Sequence, residues 1–379
     1  MADSEARPKR RGAAMPLPDQ VALVLQGGGA LGSYQAGVYE ALHAQDIEID
    51  RIAGISIGAV NAAILAGNPP ERRVARLREF WELVTSWLPS FPIPGDDYWR
   101  EMVHEWSAAF VAVTGVPGFF GARFVPPMFA APGTPGALSF YDNSILAETL
   151  DRLIDWNLLN DGPIHLSVGA VEIESGNFRY FSNRKERLDA RHIMASGALP
   201  PGLPPVEIDG KLWWDGGIVS NTPLADVLDT QAEPMLVFQV DLFPAAGPAP
   251  RTILDVFARE KEIRYSSRTR QVSDQLLKLR KERRAMARLL KKLPDALKDD
   301  ADAQFLRERC EEQPVNVVQL IYRASAWESG SRDYEFSARS MAEHWAAGAA
   351  VVMETIDRSE LLARNIVDGK TAAFDLTRK

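Results

Sequence analysis

Val21-Ala-Leu-Val-Leu-Gln-Gly-Gly-Gly-Ala-Leu-Gly32 decides how this chain is read. A short apolar run without polar alternation fits a strand buried on both faces, as in a parallel sheet. It stops at three adjacent glycines, and a helical pattern then carries to about His43. The same grammar recurs at once. About Ile49 to Ala53 reads as a second strand, Gly54-Ile-Ser-Ile-Gly58 as its turn, and the small residues Ala59–Gly67 as its helix. Two strand–glycine–helix units in succession imply βαβ connections and a parallel sheet.

Working outward, residues 71–88 read as a surface helix. From about Leu88 to Ser139 regular patterning breaks, with Pro, Gly, Phe and Trp interleaved. An irregular apolar insertion of this length is unusual unless it covers something. A helix is expected near 142–157, then a strand at 164–172 with its hairpin partner at 177–182. A short helix holds His192 to Pro200. The stretch Val206 to Trp214 forms a hairpin turning on Asp209-Gly210 and runs into Asp215-Gly216-Gly217. Met235 to Val240 is a further buried strand, 252–310 a charged helical region, Val315 to Tyr322 a late strand and 340–364 a closing helix. The expected organisation is a disordered tail at 1–18, an α/β domain at 19–245 with the apolar insertion at about 88–140, and a mainly helical extension at 246–379 packing on the core.

Composition narrows the class. The 379 residues are 46% hydrophobic and 25% charged, which are globular values. The single cysteine, Cys310, forms no intramolecular disulfide. A net charge of −8 argues against a surface built to grip nucleic acid. No apolar run reaches the ~18 residues that cross a bilayer, and the charged N-terminus lacks the apolar core of a secretory signal. The expected location is cytoplasmic, with peripheral contact at the inner membrane surface as an extension of that reading.

Gly54-x-Ser56-x-Gly58 is the sharpest local signal. A nucleophilic serine of an α/β hydrolase stands on a tight strand-to-helix turn, and flanking glycines remove the clashes such a turn creates. The bland reading is a helix N-cap serine. Gly27, Gly29 and Gly32 satisfy the dinucleotide pattern Gly-x-Gly-x-x-Gly. Asp46, Glu48 and Asp50, however, precede or open the second strand instead of closing it, where a ribose-binding acid belongs. The alternative makes these glycines an oxyanion hole, since unhindered amides at a helix N-terminus bind developing negative charge. No histidine among His43, His104, His165, His192 and His344 sits at a glycine-rich strand end. Asp215 does, followed by Gly216 and Gly217, with Trp213 and Trp214 placed to shield it.

Together these residues resemble the patatin-like phospholipase family. The resemblance rests on Gln26–Gly32, Gly54–Gly58, Ala195-Ser-Gly-Ala-Leu-Pro200 and Asp215–Gly217, in the family's order, and covers about residues 20–245. It implies a three-layer α/β/α fold with a mostly parallel sheet, and a Ser–Asp dyad without histidine. Ser56 would be the nucleophile and Asp215 the general base. Gly27, Gly28 and Gly29 would supply oxyanion amides, joined by the N–H of Ile57, and Gly32, Gly54, Gly58, Gly216 and Gly217 would support the motifs. Leu31 departs from the Arg or Lys usual at its position. No cofactor and no metal are expected.

The expected activity is hydrolysis of carboxylic esters of phospholipids or other lipids through an acyl-enzyme. The alternatives are a thioesterase or storage-polyester hydrolase on the same dyad, a nucleotide-binding oxidoreductase using the glycine loop, and a non-catalytic membrane- or partner-binding scaffold. The aromatic segment 101–140 is a candidate lid or lipid-contact surface. Residues 278–292, with eight bases against Glu282, form a candidate basic amphipathic helix, read first as a solvated helix and second as a membrane contact. A homo-oligomer is left open.

Overall fold

The computed structural model describes residues 15–87, 97–294, 297, 299–310, 313–324, 328 and 330–377. The chain opens with β1 (Gln20–Leu25), α1 (Gly32–Ala44), β2 (Arg51–Gly54), α2 (Ile57–Ala66) and α3 (Pro70–Val84). The insertion holds α4 (Asp97–Thr114), β3 (Gly115–Val116), β4 (Phe120–Ala122) and β5 (Tyr141–Asp142). Next come α5 (Ser144–Leu153), α6 (Trp156–Asp161), β6 (His165–Glu172), β7 (Phe178–Ser182), α7 (Ala190–Ser196), β8 (Val206–Ile208), β9 (Lys211–Asp215), α8 (Leu224–Asp229) and β10 (Met235–Asp241). The remainder is α9 (Ile253–Leu290), α10 (Ala301–Cys310), β11 (Val315–Ile321), α11 (Ala338–Asp357), α12 (Glu360–Val367) and β12 (Ala372–Phe374).

The main sheet runs β12-β11-β10-β1-β2-β6-β9-β8, with β7 also paired to β6. Every neighbouring pair from β12 to β6 is parallel, whereas β7, β8 and β9 pair antiparallel. Side chains alternate across a strand, and β1 shows the consequence. Val21, Leu23 and Leu25 pack into the larger core with residues of α1, α2 and α11, whereas Ala22 and Val24 meet Leu224, Val227 and Leu228 of α8. Helices therefore cover both faces, which is why the strands read as continuous apolar runs. The fold is the expected α/β/α arrangement with a mostly parallel sheet and a largely helical C-terminal part.

Two local expectations change. The insertion is not irregular throughout, since α4 spans 18 residues and a small antiparallel sheet follows it. Apolar residues of α4 point both ways, Ala108 and Val111 inward and Trp106, Phe110 and Val113 outward, so no single stripe marks it as a helix in sequence. Of the expected tail, residues 1–14 lie outside those described, and Met15 and Leu17 are buried in the core. The late strand expected at 315–322 is present as β11, and β12 extends the sheet one strand further. Helix α11 lies so close to α1 that a Cβ on Gly348 would fall 2.0 Å from the Tyr34 carbonyl oxygen.

Candidate active site

Between β2 and α2 the backbone turns at Ser56 with φ 55° and ψ −124°. A non-glycine residue in such a conformation stores of order 1–3 kcal/mol and persists only where its surroundings hold it. Ser196 supplies part of that hold: the Ser56 N–H donates to both its carbonyl and its hydroxyl oxygen, each at 3.1 Å.

Sheet register brings Asp215 to the same level. Gly54 of β2 pairs with Val168 of β6, and Asp215 of β9 pairs with Ala170, two residues further along. Ser56 also lies two residues beyond Gly54, so both residues reach the same end of the sheet and line one cavity. Gly217 N–H donates to Asp215 Oδ1 at 2.7 Å, and Asp215 N–H donates to the Ala198 carbonyl at 3.0 Å. The segment Ser196–Ala198 thus braces both residues. Asp215 is only 2% exposed. Burial pushes its pKa up to about 7, against the lowering effects of Gly217 and Ser56.

The glycine loop follows β1 at the point where strand order reverses, with β10 on one side and β2 on the other, the usual ligand crevice of open α/β sheets. Gln26 anchors it, its Oε1 accepting the N–H groups of Leu242 (2.5 Å) and Phe243 (3.1 Å). One expected oxyanion donor is corrected here. Gly27 N–H is engaged by the Asn221 carbonyl at 3.3 Å, while Asn221 Nδ2 donates back to the Gly27 carbonyl at 3.0 Å. Gly28 and Gly29 line the cavity beside Ser56, as does Ile57 at the start of α2. Gly32 opens α1, and its carbonyl accepts Asn61 Nδ2 at 2.9 Å. Leu31 is fully buried in the core, so an apolar side chain suits the position where a cation is usual.

These groups border a cavity of about 220 Å³. Its largely apolar walls come from three distant stretches: Val111, Phe119 and Phe120 from the insertion, the segment from Leu199 to Leu203, and Tyr265, Tyr334 and Phe336 from the C-terminal region. No histidine is among the lining residues. His192 completes the capping box of α7 with Asp189. His165 Nε2 meets Ser182 Oγ at 2.8 Å, and its pKa is lowered to about 4, chiefly by burial. Trp213, expected as a shield, packs edge-on against Phe181, with ring centres 4.9 Å apart. Asp50, a candidate ribose ligand, instead accepts the Val21 N–H at 2.8 Å. Sequence reasoning missed Ser196 as a brace, Asn221, and the C-terminal wall. The first lies inside a quoted motif and the second six residues after Asp215, but their roles depend on packing.

A serine on a strand-to-helix elbow, sharing a cavity with a buried carboxyl and glycine backbone, is suited to nucleophilic acyl transfer. Residues 23–228 match the family model described as patatin-like phospholipase, and residues 263–366 match a second described as patatin phospholipase. The chain belongs to the patatin-like phospholipase family. An uncharacterized NTE family protein of Mycobacterium tuberculosis is 28% identical over 240 residues, 63% of this chain and 53% of that protein. Lysophospholipase NTE1 of Saccharomyces cerevisiae is 25% identical over 240 residues, 61% of this chain and 11% of that protein. The chain therefore spans about half the length of the mycobacterial relative. The crystal structure of VipD from Legionella pneumophila aligns with a TM-score of 0.40 at 14% identity, covering 94% of this chain and 72% of that chain.

Proposed function

We propose that the protein is a serine acyl hydrolase that cleaves carboxylic esters of phospholipids or lysophospholipids. The observation that carries this reading is that Ser56, on its strained elbow, and a buried Asp215 line one largely apolar cavity. Asp215 accepts the Ser56 proton as the hydroxyl attacks the ester carbonyl. Oxyanion charge falls on the amides of Gly28 and Gly29, with Ile57 N–H beside them. The alcohol leaves with a proton returned by Asp215, and a water deprotonated by the same carboxylate then releases the acid. An aspartate at its ordinary pKa of ~3.9 is a weak base, and a value near 7 suits the task at neutral pH. Membership of the family and the lysophospholipase name of the yeast relative support a lipid ester over a thioester or storage polyester.

Substrate reaches the cavity across a surface suited to lipid. Residues 106–140 carry one charged residue, Arg123, which is paired to Asp142 at 3.1 Å. Phe124, Met128 and Phe129 of the same segment are largely exposed. Contact through 278–292 is less favoured, because Arg280 and Arg284 are tied to carbonyls of Leu228 and Gly369 and so serve packing. No helix among the described residues is long and apolar enough to cross a membrane, so the proposed contact is peripheral. The test is labelling with an alkyl fluorophosphonate read by peptide mass spectrometry. Modification is expected at Ser56 in the native chain and is lost in Ser56→Ala; an unlabelled native protein would defeat the reading.

A further inference from the structure

We infer that the region beyond residue 250 is part of the catalytic apparatus: Asp333, tethered by Lys261, positions the glycine loop so that the Gly28 and Gly29 amides address the reacting carbonyl. The inference rests on the acyl-transfer reading above and assigns a role to the C-terminal region within it.

The loop is pinned at two points. On one side Gly27 N–H meets the Asn221 carbonyl, and on the other Ala30 N–H donates to the Asp333 carbonyl at 2.9 Å. Gly28 and Gly29 lie between the pins, and both line the cavity. The second pin is also a template for the backbone. Gly29 has φ +55°, and a Cβ there would lie 2.2 Å from the Asp333 carbonyl oxygen. Only glycine accepts both that conformation and that proximity.

Asp333 is held in turn by the start of α9. Lys261 Nζ donates to Asp333 Oδ1 at 2.6 Å and to the Gly330 carbonyl at 3.1 Å. Arg332 hydrogen-bonds Glu262, the next residue of the helix. The Lys261 ammonium also lies 4.9 Å from the centre of the Tyr334 ring, and Tyr334 itself lines the cavity. The Lys261 and Asp333 side chains are 23% and 11% exposed, so the ion pair is shielded and keeps more of its strength than a surface pair. A chain of contacts therefore runs from α9 through Asp333 to the two amides. Asp333 lines the cavity as well, but its contact with the loop is made by the backbone carbonyl, so Asp333 and Lys261 act as positioning residues.

Displacing a catalytic group by ~1 Å can cost on the order of 10²-fold in rate. An interaction expressed only in the transition state lowers kcat and leaves KM in place. The experiment compares native protein, Lys261→Met and Lys261→Arg on a soluble medium-chain p-nitrophenyl ester, normalised to sites titrated by fluorophosphonate. Expected are a fall in kcat of about tenfold to hundredfold in Lys261→Met with KM within about twofold, slower labelling of Ser56, and substantial recovery in Lys261→Arg. Asp333→Asn keeps shape and carbonyl while weakening the tether, and gives the same readout should Lys261→Met fold poorly. Native kcat per titrated site in a folded variant overturns the inference while leaving the hydrolase reading intact. Absence of labelling in the native chain would instead strike the hydrolase reading itself.

Discussion

Ser196 accepts the N–H of Ser56 on two oxygens at once, its carbonyl and its hydroxyl, both at 3.1 Å. The elbow that lifts Ser56 is therefore held from α7, not only by its own strand and helix. Ser196→Ala removes one of the two acceptors. We expect a loss of about 1 kcal/mol in stability and a fall in kcat of several-fold as the strained elbow relaxes. Denaturant melts and steady-state kinetics of the purified variant check both.

The pKa of Asp215 sets a pH dependence. The base form is the carboxylate, and burial pushes its pKa up to about 7. Activity in kcat/KM is expected to be low below pH 6, to rise through an apparent midpoint near 7 and to level above pH 8. A profile flat from pH 5 to 8 on a soluble ester would remove Asp215 as the titrating base.

The same shift has a stability cost of opposite sense. An aspartate whose folded pKa exceeds its unfolded value of 3.8 destabilises the fold as pH rises from about 4 to about 7, because the unfolded chain releases the proton first. Asp215→Asn removes that cost while an amide oxygen can still accept the Gly217 N–H. We expect it to abolish turnover and to raise stability at pH 8, by at most roughly 4 kcal/mol, with the gain vanishing near pH 4. Thermal melts across that range measure it.

Arg51 and Asp226 form an ion pair at 2.9 Å beneath the sheet, with side chains 5% and 9% exposed. Ser167 Oγ also donates to Asp226 at 2.7 Å. Arg51→Met leaves that carboxylate buried without its counter-charge, and a loss of roughly 3–5 kcal/mol is expected. Urea denaturation reads this directly, and a loss under 1 kcal/mol would contradict it.

The exposed rim gives the last prediction. Phe124 and Phe129, 101% and 77% exposed, do not line the cavity. Phe124→Ser with Phe129→Ser is expected to weaken flotation with phosphatidylcholine vesicles several-fold while hydrolysis of a soluble ester stays near native. Unchanged flotation would remove this surface as the lipid contact, and concentration-dependent self-association of the native chain would point to a second copy instead.

The strands and the motif turns were readable in one dimension because their signals are local. A parallel strand needs an unbroken apolar run, an elbow needs glycines two residues either side of its serine, and a strand-end aspartate is marked by Gly216 and Gly217. Helix α4 was not readable, since its apolar residues serve both the core and the outer surface and no single period survives.

What the amino-acid order determined by itself was the βαβ core and the identity of the two candidate reacting groups, 159 positions apart. Tertiary structure alone decided that they line one cavity, through the register of β2, β6 and β9. It also decided which loop amides are engaged elsewhere, pairing Gly27 with Asn221 and Ala30 with Asp333. Local sequence encodes backbone preference, which is short in range. A hydrogen bond between segments some 300 residues apart depends on how whole layers pack, and no window of sequence contains that.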